Sequence, residues 1–166
     1  MNWEALWAIG EIVGAIAVVL TLGYLAAQIR QNTKTVRTST YQAVLDYSSG
    51  FNELVLSNPH IWRIWKVGRL DPAQLTDEER SQFRLLVGQL FNIYETMLLQ
   101  YQRGTLDQEY WDARLVGLRH LLSQPGLRTH WLRSREEGIT PARVPAFQEL
   151  MDSLVGLTSD PDGTNA

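Results

Sequence analysis

From Ile12 to Ile29 the chain reads IVGAIAVVLTLGYLAAQI, eighteen residues without one charged side chain, and Ala5 to Gly10 before it are apolar too. Few elements tolerate such a run. A bilayer core of about 30 Å is crossed by roughly 20 helical residues at 1.5 Å each, so counting back from Arg30 places the outer boundary near Ala8 to Gly10. Trp3 and Trp7 then fall at one interface and Arg30 at the other, where aromatic belts and snorkelling arginines belong. A cleaved signal peptide would need a basic leading region, and Met1 to Glu11 has no basic side chain. A buried core helix is usually shorter and is rarely followed at once by a basic cluster.

Charge orients this segment. Nothing basic precedes it, whereas Arg30, Lys34 and Arg37 follow within eight residues, so the positive-inside bias puts the amino terminus outside and the remaining chain in the cytoplasm. The whole chain carries a net charge of −3 and no Cys. That balance, with no long basic run, excludes a dedicated nucleic-acid binder and a disulfide-stapled scaffold. The expected division is a membrane helix over 1–30, a helical domain over 31–157 and a disordered polar tail over 158–166.

Two features of the membrane helix are candidates for function. Gly10 and Gly14 form a small-xxx-small pair, extended by Gly23, along which a partner helix can approach closely. Glu11 is an ionisable group at the edge of the apolar run, either a carboxylate solvated at the interface or an ion or proton site.

Beyond Arg30 the apolar residues recur at helical spacing and no segment alternates as a strand does, so the expected fold is all-α: the membrane helix followed by a cytoplasmic bundle of four or five helices. Thr40, Val44, Tyr47, Phe51 and Leu54 predict an apolar stripe on a helix from about Asn32 to Leu56, ended by Asn58-Pro59. A second helix starts at Thr76, whose spacing to Glu79 is that of a capping box. Its stripe is Phe83, Val87, Leu90, Tyr94, Met97 and Tyr101, and Gly104 ends it. Asp107 caps a third helix with Trp111, Leu115, Leu118 and Leu122 on one face, stopped by Pro125-Gly126. A short piece around Trp131 and a last helix from about Pro141 to Leu157 complete the set.

WEALWAIGEIVGAIAVVLTLGYLAAQIRQNTKTVRTSTYQ at 3–42, FNIYETMLLQYQRGTLDQEYW at 91–111 and LLSQPGLRTHW at 121–131 resemble a group of uncharacterised single-pass bacterial membrane proteins. The resemblance implies an inner-membrane protein with a helical soluble part, and it brings no mechanism. It draws attention to Glu11, Glu95, Trp111, Pro125, Gly126 and Trp131, which lie inside the matching stretches.

No nucleophile elbow, P-loop, dinucleotide fingerprint or H-E-x-x-H occurs. His60, His120 and His130 have no Glu three residues before them, so a di-iron bundle site is not expected, and each His reads as a surface or capping residue. No cofactor, metal or catalytic residue is expected. Glu95 stands within an apolar row, between Phe91 and Leu98, as either an acid-base group or an acceptor of hydrogen bonds from a neighbouring helix. The segment HIWRIWKVGRL at 60–70 sets Trp62, Arg63, Trp65 and Lys66 together, a composition suited to an anionic membrane surface or a partner. An upright continuation of the span would put Trp62 on the order of 40 Å from the bilayer, so lipid contact requires a bend near Gln31 to Thr33. The alternative is a short helix closing one end of the bundle.

The reading that follows is a non-enzymatic membrane-anchored interaction protein, self-associating or an accessory subunit of a larger inner-membrane complex, with lipid and protein rather than nucleic acid as partners. Two alternatives belong to other classes. One is an oligomeric pore with Glu11 near its outer mouth; the other is a membrane-tethered enzyme using Glu95.

Overall fold

A computed structural model describes residues 3–138 and 144–157. The fold is all-α, with six α-helices and no strand among the described residues. They are α1 (Trp3–Ser57), α2 (Pro59–Leu70), α3 (Asp77–Gln102), α4 (Gln108–Leu122), α5 (Pro125–Glu136) and α6 (Pro145–Val155), with a single 3₁₀ turn at Pro72–Gln74. The chain forms two units, Met1–Ser39 and Thr40–Ala166. The expected boundary after residue 30 followed charge, whereas the unit boundary follows burial: every described side chain from 11 to 39 is exposed, and the first buried one is Val44.

Within the first unit, α1 is long and apolar enough near the amino terminus to cross a membrane. Its hydroxyls are satisfied by the helix itself: Thr21 Oγ1 donates to the Ala17 carbonyl at 2.8 Å, so this side chain adds no bare donor to an apolar surface. The helix expected to begin near Asn32 is not a separate element. Residues 31–33 are helical and α1 continues to Ser57, because no Gly or Pro interrupts that stretch.

In the second unit α1 buries Val44, Phe51 and Val55. The predicted stripe is corrected by about one position: Tyr47 is 61% exposed and Leu54 48% exposed. Positions 44, 48, 51 and 55 lie on one helical face, and its second position belongs to the half-buried Ser48 rather than to the apolar Tyr47 beside it.

Asn58 and Pro59, expected to stop a helix, also start one. Asn58 Oδ1 accepts from the backbone N–H groups of His60 at 3.0 Å and Ile61 at 3.3 Å, and Pro59 occupies the first turn, where its missing N–H costs nothing. Pro125 does the same for α5. The short piece around Trp131 is therefore a full helix of twelve residues. The last helix begins at Pro145 rather than near Pro141, and 141–143 lie outside the described residues.

The capping box is present: Glu79 N–H donates to Thr76 Oγ1 at 3.3 Å and Thr76 N–H to Glu79 Oε2 at 3.0 Å. Glu79 also pairs with Arg63 of α2, so one carboxylate closes the α3 amino terminus and ties it to α2. Gly104, φ 70°, follows the end of α3 in the left-handed region. The core gathers on α3, whose Phe83, Val87, Phe91 and Met97 are buried with Ile64, Leu118, Leu127, Trp131 and Phe147 from the helices around it. Two glycines set the approach of α2. A Cβ on Gly126 of α5 would stand 1.8 Å from the Gly68 carbonyl oxygen, and one on Gly68 would stand 2.5 Å from the Phe83 ring.

Candidate functional site

Helix α5 and helix α6 are joined by a buried polar cluster. Trp131, fully enclosed, meets Phe91 at 5.7 Å and Phe147 at 6.5 Å, both edge to face. Its indole N–H, which needs an acceptor once buried, donates to Asp152 Oδ1 at 2.9 Å. The second carboxylate oxygen, Asp152 Oδ2, pairs with Arg135 at 2.9 Å. Arg128 donates to the Val155 carbonyl at 2.8 Å. Asp152 is thereby a satisfied structural carboxylate. Sequence reasoning singled out Trp131 and missed Asp152; the signal available was an acid directly beside Met151 and within a turn of Leu154 and Val155.

Glu95, 7% exposed, accepts the Val144 backbone N–H at 2.6 Å. Val144 is the N-cap residue of α6, so this carboxylate holds a donor next to a helix start, where negative charge also complements the helix dipole. One of its partners is thus a backbone amide at the start of a neighbouring helix.

His130 corrects the surface reading of the histidines. Its ring lies 6.2 Å from that of Phe91, and burial, with Arg84 and Arg133 nearby, lowers its pKa to about 4. His60 and His120 are exposed. No cluster of His, Cys, Asp and Glu able to hold a metal occurs among the described residues.

The 60–70 segment divides. Trp62 is 40% exposed, whereas Trp65 is 6% exposed and packs edge to face on Phe51 at 5.5 Å. Arg63 is engaged by Glu79 and Lys66 is exposed. A surface made of all four is corrected on this ground: at a spacing of three residues Trp62 and Trp65 diverge enough around the helix for one to enter the core. Trp62 and Lys66 remain outside.

Of the residues expected at the membrane, Trp3, Trp7, Glu11, Arg30, Lys34 and Arg37 are exposed on α1. Gly14 and Gly23 have open space where a Cβ would stand, which leaves room for a second helix backbone. Gly10 lies where only the helical backbone is described.

The second unit also has a cleft of about 270 Å³ among α1, α2, α3 and α4. Phe51, Val55, Trp65, Leu90, Ile93 and Met97 form its buried walls, and Ser48, Asn52, Trp62, Arg69 and Arg114 add its polar and exposed parts. Burial raises the pKa of Tyr94, another lining residue, with Arg114 opposing, so its phenol is neutral at physiological pH. Arg69 stacks over Trp65 at 5.5 Å and Arg114 over Tyr110 at 4.9 Å. The cleft was not foreseen, since its walls come from four helices and only their assembly creates it. Compared with protein-family models, curated proteins and solved structures, the chain has no match.

Proposed function

We propose that this chain is a non-enzymatic membrane-anchored interaction protein of the bacterial inner membrane, which self-associates or serves a larger membrane complex as an accessory subunit. The observation that carries the reading is the charge-free helix over 12–29, exposed along its whole length. A helix apolar on every side is covered by lipid or by other helices, because exposing that much apolar surface to water opposes the hydrophobic effect. The resemblance of 3–42, 91–111 and 121–131 to single-pass bacterial membrane proteins supports the inner membrane as its location. The basic residues Arg30, Lys34 and Arg37 support a cytoplasmic helical domain. The open space beside Gly14, which with Gly10 falls on one side of the helix at a spacing of four residues, supports helix pairing as the mode of assembly.

The native mass of the particle released gently from its own membranes, with every polypeptide in it identified, tests this. A multiple of 18.9 kDa that reverts toward the monomer in Gly14→Ile supports self-association, and foreign subunits support the accessory role. A particle of one chain, unchanged by Gly14→Ile, or a chain that never sediments with membranes, overturns it.

A further inference from the structure

The cleft among α1, α2, α3 and α4 is apolar on its walls, and its charged lining is all of one sign. Among its fourteen lining residues are two guanidinium groups, Arg69 and Arg114, and no carboxylate. Among the described residues neither arginine has an ion pair, and the buried Arg69 Nε has no hydrogen-bond partner. A buried donor on a charged group without an acceptor is costly, and a carboxylate is the group whose geometry a guanidinium matches best. Both arginines are half-buried against aromatic rings, which keeps them less hydrated than surface cations and makes an incoming anion more favourable.

We propose that this cleft binds a medium-chain fatty-acid anion, the acyl chain lying along Phe51, Val55, Leu90 and Met97 and the carboxylate meeting Arg69 and Arg114. Its volume, about 270 Å³, lies just below the roughly 300–1,000 Å³ of drug-sized ligand sites and suits one short acyl chain rather than a two-chain lipid. Apolar walls with a small number of polar groups are the usual composition of such sites. A small inorganic anion would leave the apolar walls in water, and an uncharged chain would leave the arginines unmatched. All fourteen lining residues belong to the second unit, so the cleft does not depend on how α1 is anchored.

The test uses the full chain in lipid nanodiscs with decanoic acid carrying a terminal diazirine, the photoadducts being mapped by peptide mass spectrometry. Adducts are expected on the α1 and α3 walls of the cleft. Excess decanoate should reduce them at least tenfold and decylamine should not. Asn52→Trp, which fills the cleft from an exposed position, should cut cleft labelling about tenfold, as should the double variant Arg69→Gln with Arg114→Gln. Circular dichroism checks that each variant folds, and Asn52→Trp decides if the arginine variant does not. Adducts confined to 12–29, equal competition by decylamine, or labelling indifferent to Asn52→Trp overturns the proposal; the first of these leaves the anchor reading intact.

Discussion

His130 shows how one side chain couples this fold to pH. In the unfolded chain the imidazole takes a proton near its ordinary value of 6.5, but in the folded protein burial and the nearby Arg84 and Arg133 postpone protonation to about 4, Glu137 opposing. Between those values the unfolded state binds the proton and the folded state does not, so stability falls as pH falls through that window and is unaffected by this group above it. From pH 7 to pH 5 the loss amounts to about 2 kcal/mol. Urea unfolding at the two pH values, followed by tryptophan fluorescence, should show wild type losing that much more than His130→Gln. Equal losses would mean that the imidazole is as easily protonated folded as unfolded. The sequence could not reveal this residue's surroundings. Its neighbour Phe91 is far along the chain, and Leu127, buried on the same helix, carries no local signal that would place His130 against the core.

At the scale of elements, the approach of α2 to α5 is governed by Gly126. A methyl group there would lie 1.8 Å from the Gly68 carbonyl oxygen and 2.9 Å from that of Arg69, and these contacts are backbone, so no side chain can rotate away. Gly126→Ala is therefore expected to cost on the order of 3 kcal/mol, at the upper end of overpacking effects. Gly88→Ala is the matched comparison, since nothing stands within 4 Å of its added Cβ; in the middle of α3 it should be neutral or gain up to about 1 kcal/mol from helix propensity. Thermal midpoints of the two variants in the same detergent settle the contrast, and equal midpoints would show that α2 and α5 separate freely. Much of this level was legible in the sequence: the Thr76–Glu79 capping box, the α3 stripe and Gly104 at its end are local signals carried by residues within a turn or two of each other. Pro59 and Pro125 were read only as stops because a proline that ends one helix and opens the next has the same sequence signature. Gly68 and Gly126 carried no such local signal, for their closeness exists only after α2 has folded onto α5.

For the molecule as a whole, the decisive asymmetry is between a first unit whose described side chains are all exposed and a second unit with its own core. The apolar run over 12–29 within the first unit asks for a surrounding other than water, and in the proposed topology Arg30, Lys34 and Arg37, later in the same unit, mark its cytoplasmic side. A helix long and apolar enough to span was readable from residues 12–29 alone, because length and apolarity are local properties that need no tertiary contact. The cleft at Arg69 and Arg114 was not, since it depends on four helices meeting. The absence of Cys makes the orientation directly measurable with single introduced thiols. Asn2→Cys should react with a membrane-impermeant maleimide in intact right-side-out vesicles, whereas Thr129→Cys, on the exposed face of α5, should react only after the vesicles are opened. The opposite pattern would reverse the topology and put the helical domain outside, while reaction of both thiols before opening would mean that α1 does not cross the bilayer and that its apolar run is covered by protein instead.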